Sequence, residues 1–308
     1  MQNTNDCLWQ LSPEVTFDCG VPHSPAARIG GMRSDGRVWV VTGGGNGMGR
    51  ELVLELLRRG GRVAAVDLSE PALAETAALA AAGERLSTHV VDITDRAAVE
   101  ALPEAVVAVH GAVDAIVNNA GIIQPFAPVA ELDYGAIGRV LDVNLMGTIH
   151  MVKAFLPLLL ERPEAHVANV SSMGGFFPFP GQTIYGASKA GVKLLTEGLY
   201  AELLDTGVRV SVIMPGAVET GITEHSGVEM PGTAGDGDVS MTSPVAAARM
   251  MADGIERDRL YIFVGKDARL MNLAIRVAPR QAIGFIKKQM AKRMPAPASG
   301  GPAVSADR

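Results

Sequence analysis

Arg37–Gly49 reads RVWVVTGGGNGMG, an apolar run closed by a threonine and then five glycines in seven residues. The valines and tryptophan read as a buried strand, and Met48–Arg59 has helical periodicity. The glycines therefore turn the chain from a strand into a helix. There the backbone can approach a pyrophosphate closely, and the helix N-terminus favours its negative charge. A turn that merely makes a sharp corner is the alternative. The strict G-x-G-x-x-G spacing fails, because counting from Gly43 puts Met48 at its last position. T-G-x-x-x-G-x-G fits, with Gly43, Gly47 and Gly49.

Working outward, Arg62–Asp67 is a second strand, and its closing Asp67 lies 18 residues beyond Gly49. A carboxylate there can accept from both adenosine ribose hydroxyls and repels a 2′-phosphate. Leu68 and Ser69 follow it, and Asn46 sits in the loop where a base would serve NADP, so NAD is favoured over NADP. An aspartate capping the next helix is the competing reading. An alanine-rich helix covers Glu70–Ala82, a strand Ser87–Asp92, a helix Arg96–His110 and a strand Val113–Asn118. A gently bent helical region spans about Asp133–Glu161. Strand five is Ala165–Ser171, followed by a helix over Ile184–Leu204 and strand six over Val208–Met214. Pro244–Glu256 is a helix and Leu260–Val264 a seventh strand. Apolar strands alternating with helices predict a single-domain α/β fold: a Rossmann-type, doubly wound parallel sheet of about seven strands with helices on both faces.

Composition narrows the function classes. The 308 residues are 48% hydrophobic with 35 glycines, which suits a globular chain. A formal net charge of −6 gives no support to nucleic-acid binding. The only cysteines are Cys7 and Cys19, so no disulfide framework or cysteine metal site is expected, as in a reducing cytosol. The histidines form no ligand pair at helical spacing, and no metal is expected. No apolar run reaches the ~18 residues of a membrane span, and no secretory signal precedes the domain.

Asn169–Lys189, NVSSMGGFFPFPGQTIYGASK, carries the chemistry. Tyr185 and Lys189 lie one turn apart on a helix face. An ammonium beside a phenol favours its ionised form, lowering the phenol pKa and fitting Tyr185 for proton transfer. Ser172 ends the preceding strand within reach of the same substrate oxygen.

Together these residues resemble the short-chain dehydrogenase/reductase family in its compact form, over about Arg37–Gly265. The resemblance rests on TGGGNGMG, Asp92, NNAG at Asn118–Gly121, Asn144, Ser172, YGASK at Tyr185–Lys189 and PGAVET at Pro215–Thr220. It implies that Tyr185 is the general acid or base and that Lys189 lowers its pKa and holds the nicotinamide ribose. Ser172, chosen over Ser171 by its thirteen-residue spacing to the tyrosine, polarises the substrate oxygen. Asn144 is the helix-kink asparagine of a proton relay. The implied cofactor set is Gly43, Gly45, Asn46, Gly47, Met48, Gly49, Asp67, Leu68, Asp92, Ile93, Asn119, Ala120, Gly121, Tyr185, Lys189, Pro215, Gly216, Val218 and Thr220. The family's sister form, which includes epimerases, needs a glycine where Asn46 stands. The expected activity is hydride transfer between NAD(H) and a secondary alcohol or ketone. A non-catalytic binding protein on the same fold and an isomerase or lyase are the alternatives.

Phe176, Phe177 and Phe179 beside the serine suggest a wide apolar pocket for a bulky substrate, or packing of a lid or subunit contact. Ala217–Ser243, with GDGD at Gly235–Asp238, reads as a mobile lid. Residues 1–36 read as a flexible extension, with Met32 as an alternative start, and 295–308 as a disordered tail. Lys266–Arg293 holds eight Lys/Arg against one acid, Asp267, and Pro279 should divide it into two amphipathic helices. This basic extension over 266–294 is expected either to meet an anionic membrane surface or to pack on the body or across a dimer. The chain is expected to be cytoplasmic and a homodimer or homotetramer.

Overall fold

The computed structural model describes residues 31–219, 221–228 and 241–291. The strands are β1 (Val38–Thr42), β2 (Arg62–Asp67), β3 (Leu86–Val90), β4 (Ala115–Asn118), β5 (Ala165–Val170), β6 (Val208–Pro215) and β7 (Tyr261–Val264). They form one parallel sheet in the order β3-β2-β1-β4-β5-β6-β7. β1, β4 and β5 are buried at every position, as sheets covered on both faces require. Alternation along β1 sends Trp39 and Val41 to one face and Val38 and Val40 to the other. The strand order reverses between β1 and β4, which opens a crevice at their carboxyl ends. Thr42 pairs with Val66, so the glycine turn and Asp67 leave the sheet side by side.

The helices are α1 (Gly47–Arg58), α2 (Glu70–Ala80), α3 (Arg96–His110), α4 (Tyr134–Leu141), α5 (Gly147–Leu160), α6 (Thr183–Glu202), α7 (Ile222–His225), α8 (Pro244–Glu256), α9 (Lys266–Val277) and α10 (Pro279–Ala291). Leu52 and Leu56 of α1 meet Met251 and Ile255 of α8 on one face of the sheet. Val99 and Val106 of α3, Met151 and Phe155 of α5, and Leu199 of α6 cover the other. Asp95 caps α3 by accepting from Ala97 N and Ala98 N, and Gly111 ends it in the left-handed region at φ 84°. As expected from Pro279, the C-terminal stretch is two helices.

Two expectations need correction, and the bent helical region over about Asp133–Glu161 is present as expected. The boundary at Arg37 falls too late: Met32 is fully buried in the α1–α8 core, and Ser34 donates from N and Oγ to Glu256 Oε1. Burying such a side chain contributes about 1.5–3 kcal/mol, which residues 31–36 could not supply as a loose extension; residues 1–30 lie outside the described ones. The bent helical region holds a π turn at Asp142–Met146 between α4 and α5. The combined helix Tyr134–Leu160 is also long and apolar enough to cross a bilayer. Arg139, Asp142 and Lys153 interrupt the apolar run in the sequence, and the helix lays Met151, Phe155 and Leu159 on the sheet.

Candidate active site

At the carboxyl ends of β1, β2 and β4 lies a cleft of about 580 Å3. Its floor is the glycine turn. Gly43 adopts φ +66°, a backbone that side chains avoid. A Cβ on Gly49 would collide with Gly43 O and the Asn119 side chain, so α1 can approach this closely only without one. Asp67 Oδ2 accepts from Gly45 N at 2.9 Å and Oδ1 from Ser69 N at 3.0 Å. The helix cap belongs to Ser69, whose hydroxyl accepts from Ala72 N. Arg50 donates to Gly45 O, Asn46 Oδ1 and Glu75 Oε2, which commits its guanidinium to holding the loop.

Most of the expected dinucleotide set meets here. Gly43, Asn46, Gly47, Met48, Asp67, Leu68, Asp92, Ile93, Asn119, Ala120 and Gly121 line the cleft. Gly45 and Gly49 shape it from behind. Asp92 Oδ1 also accepts from Thr94 N and Oγ1 at 2.8 and 2.7 Å, closing a local turn. Asn119 binds across to β1, its N–H and side chain reaching Thr42 Oγ1 and O. Val66, Ile122, Val143 and Ile222 also line the cleft and were not anticipated. Pro215, Gly216 and Val218 lie at the end of β6, outside this cleft, and Thr220 lies outside the described residues, as does the GDGD segment.

The catalytic candidates cluster where β5 runs into α6. Ser171 is buried and donates to Lys189 O at 2.7 Å, so its hydroxyl is spent on the helix. Ser172 Oγ accepts from Gly174 N, and the Tyr185 ring lies against the same Gly174. Lys189 is buried, and its Nζ donates to Val170 O at 2.9 Å. Asn144, fully buried in the π turn, accepts from Ile122 N at 2.8 Å and donates to Ile122 O and Ser188 Oγ. Ser188 in turn donates to Tyr185 O. The extra residue of a π turn is a common way of aiming one side chain into a site.

Burial pushes the Tyr185 phenol above its ordinary value, with the neighbouring Ser172 hydroxyl opposing it. Burial lowers Lys189 to about 8. The expected lowering of the phenol thus meets the opposite direction, because taking the phenolate out of water outweighs what favours it. Two positioning residues gave no sequence signal. Gln124, wholly buried, accepts from Ile184 N and Tyr185 N at 2.7 and 3.0 Å, and its amide donates to Gly181 O. It caps α6 from another segment, where the helix's own Gln182 makes no side-chain cap. The other is Asp267, which binds Ala217 N.

The aromatic segment only partly faces outward. Phe177 is fully buried against Phe179 at 5.6 Å between centroids, and Phe176 packs edge-on to Phe263.

A family model described as short chain dehydrogenase matches residues 37–230. The chain belongs to the short-chain dehydrogenase/reductase family. It is an oxidoreductase by that membership. The 1-deoxy-11-beta-hydroxypentalenate dehydrogenase of Streptomyces exfoliatus is 35% identical over 242 residues, 78% of this chain and 86% of that protein. A family member from Burkholderia phymatum, solved in complex with NAD, superposes with a TM-score of 0.71 at 29% identity, covering 80% of this chain and 96% of that one. Another from Burkholderia cenocepacia, solved with NADP, has a TM-score of 0.71 at 25% identity, covering 83% and 99%. Solved relatives therefore carry either nicotinamide dinucleotide, and the glycine-rich cradle at Gly43–Gly49 fits one here.

Proposed function

We propose that this family member is an NAD-dependent secondary-alcohol dehydrogenase or ketone reductase with Tyr185 as its general acid or base. The observation that carries the reading is that Ser172 Oγ and the Tyr185 ring meet against Gly174 at the mouth of β5, with Lys189 buried one helical turn on. A bound nicotinamide dinucleotide supplies the hydride donor or acceptor. Ser172 holds the substrate oxygen against the phenol, which gives that oxygen its proton in reduction and takes it back in oxidation. Lys189 supplies the positive charge that makes the phenolate accessible during turnover. Asn144 steadies the Ile122 loop and, through Ser188, the backbone of Tyr185. Enclosure of the pair away from bulk water strengthens each of these interactions.

NAD is favoured because Asp67 and Asp92 line the cleft while none of the lining residues is basic. The nearest guanidinium, Arg50, is already bound to the loop and to Glu75. A bulky, partly apolar alcohol is favoured by the half-exposed Phe176 and Phe179 and by the likeness to a dehydrogenase named for 1-deoxy-11-beta-hydroxypentalenate. α9 and α10 expose six basic residues together with Leu270, Leu273, Val277 and Phe285, which suits an anionic membrane surface near such a substrate. Self-association into a dimer or tetramer through α5 and α6 is the family expectation, and Leu160, Leu194 and Tyr200 are exposed there.

A panel of alcohols and ketones graded by bulk, run with both cofactors, tests the reading. We expect stoichiometric change in NADH absorbance, kcat/KM higher with NAD than with NADP, and loss of most turnover in Tyr185→Phe with cofactor affinity retained. Near wild-type turnover in that variant would refute the assignment, and an NADP preference would refute the role of Asp67.

A further inference from the structure

We propose that Asp267, in the first turn of α9, is a positioning residue for the nicotinamide end of the cofactor. The proposal rests on the reading that Pro215–Val218 contact the nicotinamide. Asp267 lies beyond the segment that the family model matches, so the C-terminal helix of this chain would complete the active site.

The geometry begins with where the charges point. α9 and α10 carry six basic residues, all exposed, and one acid, which turns inward. Asp267 Oδ2 accepts from Ala217 N at 2.7 Å. Its carboxylate lies against the Gly216 backbone, in space that a Cβ on Gly216 would need. Gly265, at φ +96°, makes the turn from β7 that brings α9 back onto this loop.

Other bonds grip the same loop from its remaining sides. Gly216 N donates to Val264 O at 2.9 Å, Thr242 N to Ala217 O at 2.9 Å, and Glu219 N to Thr242 O at 3.0 Å. The last two make a parallel bridge between Val218 and Thr242. In such a bridge the N–H and C=O of the bridged residue point to the opposite edge. Val218 therefore turns its backbone groups away from Thr242, which leaves them for a ligand. The two bridge bonds fix the Val218 groups, and the Gly216–Ala217 peptide that leads into them is held in turn by Asp267, which takes its N–H. Without the carboxylate, the Ala217 N–H has no protein partner in this geometry, and the peptide can rotate to find water.

The effect should fall on one half of the cofactor. The adenosine end sits at Asp67 and the glycine turn, on strands distant in the sheet from β6 and β7. NADH and ADP-ribose share that half and differ in the nicotinamide. Dissociation constants for both, measured by calorimetry on the full chain, are compared for wild type, Asp267→Ala and Asp267→Asn. We expect Asp267→Ala to weaken NADH about tenfold, the equivalent of one well-placed hydrogen bond, and to leave ADP-ribose within about twofold. Asp267→Asn keeps an acceptor for the Ala217 N–H and should restore NADH binding. Asp267→Ser keeps a polar group at the start of α9 but is too short to reach the Ala217 N–H; it should reproduce the selective loss and carries the test if Asp267→Ala does not fold. Unchanged NADH affinity in Asp267→Ala, or an equal loss of both ligands, would overturn the proposal in favour of a purely structural role. Wild-type protein that binds neither ligand would instead bring down the cofactor reading, and this inference with it.

Discussion

Replacing Lys189 by methionine should make the protein more stable while removing its activity. Lys189 is only 4% exposed, and burial brings its pKa from 10.5 to about 8. That fall is worth about 3 kcal/mol against the charged form. Methionine has a similar length and no charge to desolvate. It also forfeits the bond from Nζ to Val170 O, a loss of about 1 kcal/mol. The net gain is about 2 kcal/mol, which for a domain of this size raises Tm by about 4–8 °C. The pH dependence fixes the cause. A lysine whose folded pKa lies below its unfolded value carries its full penalty below about 8 and sheds it as the pH rises to 10.5. The advantage of Lys189→Met should therefore be complete at pH 7 and close between pH 8 and 10.5, as followed by thermal unfolding with circular dichroism. A variant that melts below wild type at pH 7, or a gap that fails to narrow, would refute the reasoning.

Gln124→Leu removes the acceptor of two buried amides, Ile184 N and Tyr185 N. At about 1–3 kcal/mol for each unpaired group, urea unfolding should show a loss of about 2–6 kcal/mol of stability, and kcat should fall while NADH affinity holds. His166 is buried and neutral, held down to about 3 by desolvation first and by the Arg209 charge second. Its contribution is therefore intact above pH 6.5 and is lost as the pH falls from there toward 3. Wild type should lose stability relative to His166→Gln over that window in urea titrations at stepped pH. In vesicle co-sedimentation, the full chain should bind phosphatidylglycerol-containing vesicles more than neutral ones, and Leu270→Ser with Leu273→Ser should reduce it; equal, negligible binding to both would dismiss the membrane reading.

The parts of this chain that were legible in the sequence are the ones written as repeats or as local spacing. β1 announces itself by an unbroken apolar run, and the glycine turn by composition. Tyr185 and Lys189 are legible because four residues is one helical turn. Gln124 is not, since a loop residue that caps a helix 60 positions on leaves no period. Asp267 hides for the same reason, its partner lying 50 residues earlier. Met32 was hidden by its surroundings, where prolines and glycines dilute one apolar side chain that nevertheless fills the core. Phe177 shows the converse, since an aromatic beside a candidate catalytic serine reads the same whether it faces a substrate or the interior.

The π turn at Asp142–Met146 also says something about the core. Val143 packs against the core from inside the turn, while its neighbour Asn144 is fully buried and bonded to the Ile122 loop. At ~100° per residue, one extra residue rotates everything after it by about that much relative to what comes before. The turn therefore works as a coupling between two shafts: α4 can lie against α6 and α5 against the sheet while the backbone runs on unbroken. The change of bearing and the buried asparagine come from the same surplus residue.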